Sequence, residues 1–386
     1  MPTPKAHTQE ILEKIAQLQA ICSQDIGRGI QALVNVTQGE LLGAASSIVN
    51  HSSPHVAIIT GFFLPHTNPP VAETDGLIGS VQLAASLIRN YVKVRIVTDS
   101  YCFPAVKSAA IAAGVPSSVE FDIVPVVPST HDEVITPILD TWKCLATPIT
   151  HVISIERPGP GYDGIIRNMR GQDITAHTAP LHLLFNLPNV TYIGIGDGGN
   201  ELGMGKIPRE VISNSIRYGE RIACVVACDY LLVCGVSNWG ASALLCACAL
   251  LKPEWKSIIK EQLQPEVEFK ILQTVVSKNL AADGVTGEAA LTVDNLPWEF
   301  HAEVLKKINE FILSEIGGEI NKIQQEKKEL LEKIESLKTE TQKKIQEKED
   351  YQAFLIGEKR KEQEKLQEDL SKLKIDYENE LLNLDT

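Results

Sequence analysis

Four short apolar runs, each ending in a glycine or charged loop, constrain this chain most. "HVAIITGFF" (residues 55–63) opens the series, and "KVRIVTDS" (93–100), "THVISIERPG" (150–159) and "NVTYIGIGD" (189–197) continue it. Several are continuous β-branched runs with little polar alternation, as parallel strands covered on both faces require. Between the first two lies "TDGLIGSVQLAASLIRNY" (74–91), which has helical spacing, with Thr74 or Asp75 placed to cap it. Strand, helix and strand make a βαβ unit with a long first loop, Phe62 to Thr74. "VEFDIVPVV" (119–127) and "IACVVACDYLLVCG" (222–235) add strand candidates, and Thr8 to Cys22 reads as a helix capped by Thr8. The predicted body is α/β, an open, doubly wound, mostly parallel sheet whose ligands gather at the carboxyl ends of its strands.

Composition changes at Gly317-Gly318. Residues 1–315 mix glycine and proline throughout; residues 316–386 carry no proline and dense charge of both signs. Ile316, Ile320, Ile323, Leu330, Ile334 and Leu337 keep coiled-coil spacing, which returns at Leu366, Leu370, Leu373, Tyr377, Leu381 and Leu384. The seam is poor from Lys338 to Lys365, and Gly357 interrupts it, so the tail is expected to fold back as a hairpin, to pair with another subunit as a homo-oligomer, or to stand as a single solvated helix.

A net charge of −13 disfavours nucleic acid and anionic membrane as partners. The apolar run Leu244–Leu251 is too short to span a bilayer. The eight cysteines match no paired zinc pattern and sit mostly in apolar runs, as buried thiols in a reducing compartment do. The expectation is a soluble, cytoplasmic protein.

The polar residues cluster where the runs end. "GIGDGGNELGMGK" (194–206) satisfies G-x-G-x-x-G literally, yet carries Asp197 mid-loop with Asn200 and Glu201 behind it. A phosphate cradle needs bare N–H groups and a helix start, and this loop shows neither cleanly. Two carboxylates and an amide suit a cation instead, either a metal such as Mg²⁺ or Mn²⁺ or a substrate ammonium group. Glu156, Arg157, Arg167 and Arg170 occupy the preceding loop, and its arginines suit carboxylates. Plain structural roles are also open: a Glu156–Arg157 ion pair, and Arg167 and Arg170 on one helix face. Together the loops describe a pocket for a zwitterionic molecule with an extra acid group.

The strings "DIGRGI", "ETDGLIGSVQLA", "ISIERPGPGYDGIIRNMRGQDIT", "GIGDGGNELGMGK" and "VSNWGASAL" resemble the D-glutamate cyclase family, in particular the C-terminal domain of its mitochondrial members, across most of residues 20–300. The resemblance implies conversion of D-glutamate to 5-oxo-D-proline with loss of water. The additional N-terminal domain is not expected here, and the helical tail is an addition. Under that reading Asp197, Glu201 and Asp173 are the catalytic candidates. Arg157, Arg170, Asn200, Gly198, Gly199, Thr74, Asp75 and Asn238 are the substrate-binding ones. A divalent cation would fall to Asp197, Glu201 or Glu73; no nucleotide is expected, and no Walker loop is present. Two rivals stand beside it: an acidic amino-acid sensor signalling through the tail, and a different metal-dependent hydrolase or lyase. A nicotinamide oxidoreductase is weaker, because the glycine loop lacks a proper following helix.

Overall fold

In the computed structural model, residues 9–127 and 131–384 are described. The Thr8 cap falls outside them. Contacts divide the chain into two units, with the boundary between Ile316 and Gly317.

The first unit is built on strands β1 (His55–Thr60), β4 (Lys93–Asp99), β5 (Glu120–Val124), β6 (His151–Ile155), β7 (Thr191–Gly196) and β8 (Tyr230–Val233), in the order β5-β4-β1-β6-β7-β8. All pairings are parallel. Counted among themselves, these strands run 3-2-1-4-5-6, the order of the doubly wound dinucleotide-binding folds. The strand order reverses between β1 and β6, which pair from Val56↔His151 to Thr60↔Ile155. A crevice therefore opens above Thr60 and Ile155. β1 is buried at every position, so truncating Ile58 to alanine costs about 2–5 kcal/mol.

The expected long loop after β1 is partly structured. β2 (Phe63–Leu64) and β3 (Val71–Glu73) form an antiparallel pair, and β3 takes β9 (Ala281–Ala282) in parallel on its other side. A two-residue hairpin follows, β10 (Thr292–Val293) to β11 (Leu296–Pro297), whose turn residues Asp294 and Asn295 have φ of 55° and 61°. Positive φ at both centres marks a type I′ turn, and Asp and Asn tolerate it best after glycine. This small sheet and hairpin bring the segment 281–295 beside the crevice.

The helices in chain order are α1 (Gln9–Cys22), α2 (Gln31–Asn35), α3 (Glu40–Val49), α4 (Leu77–Arg89), α5 (Phe103–Ala112), α6 (His131–Lys143), α7 (Arg209–Ser215), α8 (Gly219–Ile222), α9 (Ser237–Leu251), α10 (Lys256–Gln262), α11 (Pro265–Ser277) and α12 (Trp298–Leu384). α9 is buried from Ser237 to Leu250, consistent with its being apolar on all sides. It packs on α1, α3 and α4. Neither Thr74 nor Asp75 caps α4, contrary to expectation; α4 has no side-chain cap. Asp75 reaches across to α9 instead, accepting from the N–H groups of Ser237 (2.8 Å) and Asn238 (2.9 Å). Of "IACVVACDYLLVCG" only Tyr230–Val233 is strand, and the arginine-rich stretch 157–174 is irregular, so Arg167 and Arg170 share no helix face.

In the second unit, residues 317–384 continue α12 without a break at Gly357. The hairpin expectation is thereby corrected. The side chains described there, 325–374, are all exposed. Among the described residues, no helix is long and apolar enough to cross a membrane.

Candidate acidic site at the strand crossover

The ends of the central strands place carboxylates at the crevice. Glu156 follows β6 directly, with a φ of 47°, and Asp197 follows β7 directly. Asp75 stands between β3 and α4. One carboxylate oxygen from each of Asp75, Glu156 and Asp197 lies within 4.8 Å of the others, and all three residues are buried. Gly76 makes the approach possible: its φ is +69°, and a Cβ there would stand 2.1 Å from that of Glu156. Glu73 on β3 and Asp294 on the hairpin turn are buried as well.

One guanidinium sits among them. Arg28 belongs to "DIGRGI", a loop wound around the Asp25 carboxylate. That carboxylate accepts from the N–H groups of Gly27 (2.9 Å), Arg28 (2.8 Å), Gly29 (3.0 Å) and Ile30 (3.1 Å). So fixed, Arg28 pairs with Asp197 through Nη1 and with Asp294 through Nη2 at 2.6 Å.

The charges do not balance. Five carboxylates, those of Glu73, Asp75, Glu156, Asp197 and Asp294, surround one guanidinium. Burial foremost, then Asp294 and Asp75, pushes the Glu73 carboxyl well above its ordinary range. Burial and Asp294 raise Asp75 to about 7, against the hydrogen bonds from Ser237 and Asn238 and the charge of Arg28. Glu156 is raised by burial and by Glu201, Asp75 and Glu73, although the Ser237 hydroxyl donates to it at 2.5 Å. Asp197 is raised by burial, with Arg28 working against it. Arg28 is held above its usual value by Asp197, Asp294, Glu156 and Asp75, although its burial opposes this. The centre demands positive charge, as bound protons, an ammonium group or a metal ion.

The glycine loop has an internal occupant. Glu201 folds back so that Oε1 accepts from the N–H groups of Gly198 (2.7 Å) and Asp197 (3.3 Å), and Oε2 from Gly199 (2.7 Å). The donors that would cradle a phosphate are already used. Gly199 adopts a φ of +97°, which the turn requires. Burial raises the Glu201 carboxyl, and these hydrogen bonds hold it back.

A cavity of about 300 Å³ opens onto the cluster. Arg28, Glu73, Glu156 and Asp197 line its acidic side; the exposed Arg170, Arg217 and His66 line it too.

The other residues singled out from sequence lie as follows. Arg157 is 1% exposed and held through its two terminal nitrogens, Nη1 donating to Gly61 O (2.7 Å) and Asp99 Oδ2 (2.6 Å) and Nη2 to Ala179 O (2.8 Å). It makes its ion pair with Asp99 rather than Glu156. Asn200 donates to Arg167 O at 2.9 Å, and Thr74 to Thr292 O at 3.2 Å. Asn238 joins two helices, accepting from Gly79 N–H at 2.7 Å and donating to Thr74 O at 3.4 Å. Asp173 lies elsewhere, lining a separate cavity with Tyr101, Tyr162 and His177, and accepts from Thr175 N–H at 2.9 Å. Of the residues named for a metal, Asp197 joins the triad, Glu73 flanks the cluster, and both Glu201 oxygens are taken by the loop.

Arg28, Glu156 and Asp294 were not singled out as site residues. Glu156 carried a signal, since it ends an apolar run as Asp197 does. Arg28 and Asp294 lie far along the chain from the glycine loop, on opposite sides of it, and only the folded chain brings them there.

The D-glutamate cyclase-like C-terminal family model matches residues 18–309. Human mitochondrial D-glutamate cyclase is 32% identical over 325 residues, covering 77% of this chain and 51% of that protein. The chain thus spans about half the length of that curated relative. Among solved structures, that of levodione reductase has a TM-score of 0.23 at 10% identity, over 68% of this chain and 92% of that one. The fold assignment rests on the strand order, not on that likeness. By the family match and the identity together, the chain belongs to the D-glutamate cyclase-like family.

Proposed function

We propose that the acidic cavity binds D-glutamate and closes it to 5-oxo-D-proline, releasing water. The observation that carries this reading is the group of five buried carboxylates around one guanidinium, of which Glu73, Glu156 and Asp197 line a cavity that the exposed Arg170 and Arg217 also line. An amino dicarboxylic acid offers an ammonium group for the interior and carboxylates for the rim.

In the reaction the ammonium gives a proton to a carboxylate of the cluster, for which Asp197 is best placed beside Glu156 and Asp75. The freed nitrogen attacks the γ-carboxyl carbon and forms the C–N bond. Nitrogen then loses its second proton, and one γ-oxygen departs with two protons as water. A carboxyl group whose affinity for its proton is raised by burial and by neighbouring carboxylates, such as Glu156, can supply one of them. The substrate's own amine reacts from within a five-membered geometry, so no nucleotide is called for. Hard oxygen donors spaced as in Asp75, Glu156 and Asp197 also fit Mg²⁺ or Mn²⁺, which would neutralise the repelling γ-carboxylate. In this reading Glu201 shapes the loop, and Arg157 and Asp173 stand outside the chemistry.

The test is incubation of the purified protein with D-glutamate or L-glutamate, with and without chelator and added Mn²⁺, followed by chiral mass spectrometry. D-specific 5-oxoproline supports the reading, and its loss with chelator adds the metal. No product from either enantiomer, with the protein folded, overturns it.

A further inference from the structure

The exposed seam of α12 has an internal symmetry. Lys327, Leu330, Ile334 and Leu337 follow one another at spacings of 3, 4 and 3. Read backwards, Leu373, Leu370, Leu366 and Gln363 follow at 3, 4 and 3. Both stretches lie on continuous helix, and all eight residues are exposed. Leu330 and Leu370, Ile334 and Leu366, and Ile345 and Leu355 are each centred on residue 350. We propose that α12 pairs antiparallel with α12 of a second copy, about a two-fold axis at residue 350.

Such a pairing is isologous: each contact occurs twice, and a single axis closes the assembly. It lays Leu330 on Leu370 and Ile334 on Leu366 of the second copy. Lys327 falls opposite Leu373, where its methylene stem covers the leucine and its ammonium reaches water. The parallel alternative sets every seam residue against itself. Lys327 then meets its own copy within the seam, and Lys333 lies across from Lys338, at the positions where opposite charges normally fix partner choice. Like charges in both places favour the reversed arrangement. The ion pairs Glu335–Lys338, Glu340–Lys344 and Glu358–Lys361 run within one helix, so they are compatible with it.

Sedimentation of the full chain tests the proposal. The wild type is expected at twice the chain mass in the micromolar range. Ile334→Lys sets a charge against Leu366 at two places in the dimer and should weaken it at least 10-fold. Adding Leu366→Glu to the same chain sets opposite charges face to face and should restore the dimer. In a parallel pair the double substitution sets like charges face to face, and the chain would sediment as a monomer. A double variant no better than Ile334→Lys, or a wild type that stays monomeric at the highest concentrations, overturns the proposal. Both substitutions lie on exposed helix outside the first unit, so its melting transition should not move.

Discussion

The Glu201 carboxylate accepts hydrogen bonds from the N–H groups of Gly198 and Gly199, each at 2.7 Å, and closes the loop that carries Asp197. A nucleotide-binding signature is thereby turned into a rigid support for an acid. Glu201→Gln puts an amide donor where the loop offers donors. It should destabilise the fold by about 1–3 kcal/mol in chemical denaturation. Turnover should fall through kcat, with the pH profile unchanged; a profile that moves in the Glu201→Gln variant would mean that Glu201 itself exchanges the proton.

Arg28 holds two buried carboxylates at once. Arg28→Met leaves Asp197 and Asp294 without a counter-charge and should cost about 3 kcal/mol near neutral pH. The loss should shrink in mild acid, where protons replace the guanidinium. Denaturant midpoints at the two pH values give the answer, and an equal loss at both would show that the pair with Asp197 and Asp294 is not what Arg28 contributes.

The pH dependence has a definite sign. A carboxyl whose pKa is higher in the folded chain binds more protons folded than unfolded, so its stabilising effect is fully present below the unfolded value and is lost as pH rises through the folded one. Asp75, at about 7, and the buried Glu268, raised by burial to about 8, titrate in the neutral range, and Glu73, Glu156 and Asp197 are also raised. His55, His151 and His301 are shifted down by burial, and they act oppositely below about pH 6.5. The melting temperature of the free protein should therefore rise by several degrees between about pH 8 and about pH 6.5. Saturating Mn²⁺ or D-glutamate should flatten the slope. A free protein whose melting temperature is level or increases with pH across that interval would contradict the charge excess.

At the rim, Arg170 donates to Val285 O at 2.6 Å and, with Arg217, lies open to solvent. Arg170→Ala and Arg217→Ala should each raise KM about 10-fold or more with little change in stability. Unchanged KM in both would place the substrate carboxylates elsewhere. Arg157 should behave oppositely: Arg157→Lys loses bonds to Gly61, Asp99 and Ala179 and should act on folding.

The legible part of this protein is the part encoded locally. The apolar runs gave the parallel strands, and Asp197 announced itself by its place after one of them. Glu156 had the same position after β6, but Arg157 beside it suggested a pair that the chain does not make, because the Arg157 side chain turns to Asp99. Asp75 looked like the cap of its own helix, and only the packing of α4 on α9 shows it capping the other. Arg28 lies in the quoted string "DIGRGI", yet it and Asp294 reach the cluster through tertiary structure, so nothing local assigns either of them to it. The tail seam was plain in the sequence, whereas the absence of a fold-back required the unbroken helix through Gly357.

The most direct measurement is turnover of D-glutamate by wild type, Asp197→Asn and Glu156→Gln, with a thermal melt of each protein. Both substitutions remove a buried carboxyl group from the cluster while keeping its shape. The expected result is 5-oxo-D-proline from the wild type and at least about 100-fold less from each variant, with melting temperatures equal to the wild type's or higher. Variants that turn over D-glutamate as the wild type does would contradict the assignment of this cluster as the reaction centre.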